Sequence, residues 1–292
     1  MRVFADSNPI VILLYFLGTA GITMFTMHPV LLCLSFIGAL LYFVRLGEGR
    51  QIKSHLFPLG LTIGVGLLNP LFYHNGQTVL FVLNHNPITL EALLYGLAAG
   101  FMAAGVLYWF RCFSKIMTSD KLLYLFGSLS PKAALIFSMA LRYVPLFKKQ
   151  WQSIVQAQRG LGLYKEDTLL DTLQGNMRVF SILVTWALEN GITTADSMAA
   201  RGYGTGRRSF FSLYRFTKRD GCMLGLILLL SAVTLYTMST GSLSMVYYPA
   251  LQLPAFGVWG ELGLLGYGAL CLMPTLNDLL EDLQWKCLAS KI

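Results

Sequence analysis

Two arginines stand where recognition chemistry is possible. Arg159 lies in Ala157-Gln158-Arg159-Gly160 and Arg201 in Ala199-Ala200-Arg201-Gly202. Each Arg-Gly pair closes a stretch that reads as helix. A guanidinium in a last turn favours the negative helix end, and a glycine there accepts the αL cap. The same guanidinium can also reach outward and pair with both oxygens of a partner's carboxylate. Small neighbours, Ala157, Ala199 and Ala200, let such a partner come close. Capping alone is the plain reading of either motif. Two copies in one basic segment argue for recognition as well. Arg142, Pro145, Arg207 and Arg208 flank the motifs and support them.

No bond-making centre competes with these arginines. His28, His55, His74 and His85 show no i, i+3 or i, i+4 pairing, so no metal site is expected. Five cysteines lack a CxxC and any metal spacing. Glu261 is an ionisable residue in an apparent span, which makes it a functional candidate, but it falls near the outer end. GxxxxGK[ST] and GxGxxG are both missing, so no nucleotide site or cofactor is expected in this chain. The run Gly202-Tyr203-Gly204-Thr205-Gly206 lacks a preceding strand and a Lys-Ser/Thr ending, and reads as a flexible helix exit.

The elements that must position the arginines follow from composition. Only 12% of the 292 residues are charged and mean hydropathy is +0.60. A soluble domain carries about 25% charged residues. Apolar runs at 10–26, 30–44, 56–71, 90–110, 222–238 and 256–272 predict six membrane spans. Most of the Lys and Arg fall between 111 and 220, and Arg45, Arg50 and Lys53 follow the second run. By the positive-inside rule these segments, and both termini, face the cytoplasm. The uncharged segments 72–89 and 239–254 face outside. The net charge of +8 is explained by these basic loops, with nucleic-acid binding the weaker reading. Three parts result: a four-span part at 1–110, a cytoplasmic module at 111–220, and a two-span part with a tail at 221–292.

Within the module, 122–129 reads as a short helix, and Pro131 starts another that Pro145 kinks or breaks. An amphipathic helix follows, ended by Gly160 and Gly162. Another runs from 169 and is expected to break at Gly191 and Thr193-Thr194, leaving a short helix that stops at Gly202. Residues 77–83 read as a short strand or a re-entrant piece. Gly96, Gly100 and Gly105 allow close helix contacts in the fourth span.

A resemblance now emerges. Ile88-Thr89-Leu90-Glu91-Ala92 opens it, followed by Met117-Thr118-Ser119-Asp120-Lys121-Leu122 and Leu129-Ser130-Pro131-Lys132. Met139-Ala140-Leu141-Arg142-Tyr143-Val144-Pro145-Leu146 comes next, then Gln156 to Gly160, Met198 to Tyr203, and Gly206-Arg207-Arg208. In order and spacing these resemble the transmembrane T component of energy-coupling factor (ECF) transporters, the EcfT/CbiQ-like family. The resemblance covers about half the chain in detail and the terminal spans in kind.

It implies an all-α polytopic membrane protein with long cytoplasmic coupling helices. It also implies two cytoplasmic ABC ATPases that bind ATP, and a membrane S component that binds a vitamin or a metal ion such as cobalt or nickel. Arg159 and Arg201 would be the ATPase-contacting residues. One departure is visible: the first signature reads Gln158-Arg159-Gly160 where the family has Ala-Arg-Gly. The expectation is a non-catalytic transducing subunit in the plasma membrane, in contact with the lipid bilayer. Two other classes stand beside it. A membrane-embedded enzyme would use Glu261 and the histidines gathered in one cavity. A secondary transporter would show inverted repeats.

Overall fold

The structure is a computed structural model. It describes residues 3–47, 52–73, 76–83, 86–164, 168–206, 214–249, 251 and 257–289. The chain is almost wholly helical, and it forms two compact units: residues 1–121 with 214–292, and residues 122–213.

The first unit starts with a single turn, α1 (Val3–Asp6), and two 17-residue helices, α2 (Pro9–Phe25) and α3 (Pro29–Arg45). Both longer helices carry proline at their first position, where a missing N–H costs nothing. Asn8 caps α2 through its side-chain oxygen, 3.1 Å from the Ile10 N–H. Next come α4 (Ile52–Phe72), the strands β1 (Val79–Leu83) and β2 (Asn86–Thr89), and α5 (Leu90–Ile116). The strands pair antiparallel with an irregularity between Val79 and Phe81. The strand expected in 77–83 is therefore half of a hairpin. α9 (Lys218–Ser239) and α10 (Val258–Ala289) complete the unit.

Glycines set how closely α4 and α5 approach. A Cβ on Gly96 would lie 2.7 Å from Asn69 Cβ, and one on Gly100 would lie 2.7 Å from the Thr62 carbonyl. The third glycine of that row, Gly105, differs: its nearest neighbour is Ser35 Oγ at an ordinary 3.7 Å. Hydroxyls join the other helices. Thr23 Oγ1 lies 2.8 Å from Ser35 Oγ and 2.7 Å from Tyr267 Oη. Trp109 Nε1 donates to Ser35 at 2.9 Å, so α2, α3, α5 and α10 share one buried network.

α1 is sealed in by residues from the far end of the chain. The Phe4 N–H donates to Asp278 Oδ1 at 3.1 Å, and the Asn8 N–H donates to Asp220 Oδ1 at 3.2 Å. Lys121 donates to the Ala5 carbonyl and, at 3.0 Å, to the Ile116 carbonyl. Burial pushes the Lys121 ammonium below its ordinary pKa, with Asp6 opposing. The Phe4 ring is fully buried, edge-on to Tyr15, Phe16 and Tyr42.

Among the described residues, three helices are long and apolar enough to cross a membrane: 53–72, α5 and α9. α2 and α3 are apolar but shorter. Of the expected tail at 275–292, residues 275–289 are the second half of α10, which runs through Pro274 to Ala289, and the last three lie outside the described residues. Its acids explain the helix: Asp282 pairs with Arg45, and Glu281 accepts from Arg219 at 2.6 Å.

Candidate coupling site

The second unit is built on α7 (Pro131–Gly160) and α8 (Leu169–Ala200), preceded by α6 (Ser119–Leu129), which begins in the first unit. Ser130 caps α7, and Thr168 caps α8 with its hydroxyl 3.2 Å from the Asp171 N–H. The two long helices pair antiparallel. Tyr143 meets Thr194, and Phe147 meets Trp186 edge-on with ring centroids 6.0 Å apart. At the other end Tyr164 donates to Asn176 Oδ1 at 2.7 Å, and its ring presses on Gly175. Ile154 and Val179 are buried, while most other apolar residues of the two helices stay exposed.

Neither Pro145 nor the Gly191 to Thr194 stretch breaks its helix. Pro145 lies inside a continuous α7. An internal proline costs about 3 kcal/mol, and the contacts of Tyr143 and Phe147 hold the helix on both sides of it. Gly191 and Thr193-Thr194 likewise lie inside a continuous α8. Here the threonine hydroxyls fold back on carbonyls four residues earlier. Thr193 donates to Glu189 O at 2.9 Å, and Thr194 to Asn190 O at 2.7 Å. Hydroxyls that bond within the helix stop competing with it.

Both helices end in the same kind of cap, but the arginines occupy different places in it. In α8 the cap residue is Arg201 itself, and Gly202 takes the left-handed conformation at φ +75°. The Tyr203 N–H reaches back to Met198 O at 3.0 Å and the Gly202 N–H to Ala199 O at 2.9 Å. In α7 the left-handed glycine is Gly162, at φ +70°, and the Leu163 N–H bonds to Gln158 O at 3.0 Å. Gly160 is an ordinary helical residue with open space around it. Of the two glycines expected to end this helix, Gly162 and not Gly160 takes the αL position, and Leu161, two residues past the arginine, is the cap residue.

The two arginines have different surroundings. The Arg159 guanidinium carbon sits 5.3 Å above the centre of the Tyr164 ring, a cation–π contact that ties it to its own loop. Arg201 lies at the opposite end of the hairpin, roughly 25 Å of helix away. There it lines a cleft of about 460 Å³ together with Arg142, Tyr143, Asn190, Thr194 and Ser197. The structure thus separates Arg159 from Arg201 and brings Arg142 to Arg201. Ala157, Ala199 and Ala200 are exposed, and Gln158 is half-buried. Arg207 and Arg208 lie outside the described residues.

Asn190 and Ser197 of the cleft, and the contact of Tyr164 with Arg159, were not singled out in the sequence. The spacing Asn190, Thr194, Ser197, Arg201 (four, three, four) puts one polar face beside the arginine, and that was the signal to find them. The glycine run after Arg201 is a chain of turns, with Thr205 Oγ1 donating to Gly202 O at 2.7 Å. It leaves a helix C-terminus, whose partial negative charge disfavours phosphate.

The other candidates sit apart in the first unit. Glu261 is exposed in the first turn of α10. His28 is the buried N-cap of α3, and His55 Nδ1 lies 2.8 Å from Tyr108 Oη. His74 and His85 lie outside the described residues. Among the described residues, no three His, Cys, Asp or Glu side chains gather as a metal site. Glu91, in the family-like stretch before the fourth span, accepts from the Thr78 N–H at 3.2 Å and so anchors the hairpin to the start of α5.

Comparison with known proteins supplies one match. A family model described as "CbiQ: Cobalt transport protein" matches residues 2–211. No curated protein matches the chain.

Proposed function

The chain belongs to the CbiQ cobalt transport protein family, a membrane transport family, and on that premise we propose that it is the transducing subunit of an ATP-driven ECF-type importer. Two cytoplasmic ABC ATPases bind and hydrolyse ATP. A separate membrane S component binds the cargo, a divalent cation such as cobalt or another micronutrient. This chain passes movement from the ATPases to that component. It spans the plasma membrane six times with both termini inside, and 111–220 faces the cytoplasm.

One observation carries the reading: a hairpin of two long helices, each closed by a glycine cap with an exposed arginine beside it. Such a hairpin offers two separate charged contact points on one rigid lever. That suits two ATPase subunits whose approach must be turned into displacement. The exposed apolar row Leu173, Met177, Phe180 and Leu188 on α8 offers a surface for the S component. A nucleotide shifts such an assembly only if it binds the two states with different affinity.

The experiment is Arg159→Ala, Arg201→Ala and the double variant in the assembled complex. Each single change weakens ATPase co-purification, and lysine restores part of it because it lacks the planar fork. Cobalt uptake falls further in the double variant, with membrane level near wild type. Full ATPase binding and full uptake in the double variant would refute the coupling role.

A further inference from the structure

Arg201 does not face its partner alone. Arg142 enters the same cleft from α7, one turn of helix before Pro145. Among the described residues neither guanidinium is paired with a carboxylate. The acids nearest in sequence, Glu189 and Asp196, each precede a cleft residue by one position, which rotates them about 100° away on α8. Two cations thus border one concavity without a counter-charge.

The rest of the lining is built to hold them. Tyr143 Oη and Thr194 Oγ1 lie 3.0 Å apart and bridge the two helices across the cleft floor. Asn190 Nδ2 donates to Trp186 O at 3.1 Å, which fixes its amide. The carbonyls of Met198 and Ala199 are already satisfied by the cap, so the Arg201 guanidinium is not needed there. It is left to reach outward. Arg159, by contrast, is engaged with Tyr164.

We infer that Arg142 and Arg201 together form a seat for a single carboxylate, presented by an acidic side chain of the ATPase that engages the α8 end of the hairpin. This rests on the coupling role proposed above. Charge complementarity selects the occupant. Two guanidinium groups offer parallel N–H pairs that match carboxylate geometry. A cleft of about 460 Å³ also has room for the side chain's own backbone turn, whereas a water-sized guest needs only about 30 Å³. Arg142 is then a specificity residue for the contact, and the two ends of the hairpin are not equivalent.

The test is capture of the co-expressed ABC ATPases by the full chain in detergent, read as an apparent Kd. The variants are Arg142→Ala, Arg142→Gln, Arg201→Ala and Arg142→Ala with Arg201→Ala, each with its membrane level measured. Each single change should weaken capture by about tenfold or more. The pair should weaken it by clearly less than the product of the singles, because both arginines serve one carboxylate. If Arg201→Ala loses capture and Arg142→Ala keeps it, the shared seat is wrong and the coupling role stands. If neither loses capture, both fall. Should Arg142→Ala fail to reach the membrane, Arg142→Gln, which keeps much of the stem, decides in the same way. Saturable binding of inorganic phosphate to the chain without ATPases, lost in Arg142→Gln, would overturn the partner carboxylate as occupant.

Discussion

Tyr143 and Thr194 join the first half of α7 to the last third of α8 through hydroxyls 3.0 Å apart. The pair sits on one side of Pro145, and the contact of Phe147 with Trp186 sits on the other. Replacing Tyr143 with phenylalanine removes only the hydroxyl. A net hydrogen bond is worth about 0.5–1.5 kcal/mol, so thermal unfolding in detergent should begin slightly earlier at unchanged membrane level. No shift in the transition would mean that this tie does not hold the helix at the proline.

The three glycines at the caps should respond differently to alanine. Gly162 and Gly202 have positive φ, where a Cβ costs roughly 1–2 kcal/mol. Gly160 is helical with nothing near its missing side chain. Alanine there should stabilise α7 by about 0.5–1 kcal/mol. Thermal midpoints of the three variants check this, and a Gly160→Ala protein that melts earlier than wild type would contradict the cap assignment.

Gly100 and Gly105 separate in the same manner within α5. A methyl group on Gly100 meets the Thr62 backbone at 2.7 Å, whereas on Gly105 it meets only ordinary contacts. Gly100→Ala forces backbone movement and should cost about 1–3 kcal/mol, seen as reduced membrane level. Gly105→Ala should accumulate normally. Equal accumulation of the two would argue against the close approach of α4 and α5.

Lys121 holds the carbonyls of Ala5 and Ile116. Lys121→Met keeps the stem and removes the donor; the Ile116 carbonyl keeps the Thr118 N–H at 3.0 Å, but the Ala5 carbonyl must find a new partner at a cost of about 1–3 kcal/mol. The expected result is faster protease cutting near residues 3–8. Cutting at the wild-type rate would show that the lysine does not secure α1.

Topology is tested by cysteine labelling from each side of the membrane. Lys148→Cys on α7 should label only from the cytoplasmic side, and Ser244→Cys, between α9 and α10, only from outside. Labelling of position 148 from outside would refute the proposed orientation.

Much of the fold was legible because membrane spans write themselves as long uncharged runs, as α5 and α9 do. Some helix starts were legible for a similar local reason: Pro29 and Pro131 mark first turns. Continuity was harder to read. Pro145, Gly191 and Thr193-Thr194 are breakers by propensity; at Thr193-Thr194 the hydroxyls bond back to carbonyls of the same helix, and at Pro145 contacts with the facing helix hold the chain. The same reason hid the cleft. Arg142 and Arg201 belong to different helices, and no local pattern brings them together. Gly160 and Gly162 both read as ending α7, and only the backbone shows that Gly162 is the one with positive φ.

The seal around α1 bears on how the chain is assembled. Phe4 and Asn8 are received by Asp278 and Asp220, 274 and 212 residues later, so an early segment is completed by residues made much later. The opening segment must therefore wait, through elongation of the whole intervening chain, before its amides find their acceptors. Meanwhile residues 122–213 form a unit of their own, whose helices neighbour each other in sequence and can pair as soon as they emerge. Short-range pairing is fast and long-range closure is slow. The arginine-bearing hairpin can thus be finished while the membrane unit that encloses it in sequence is still open. Emergence of α10, which carries Asp278, then becomes the step that closes the first unit.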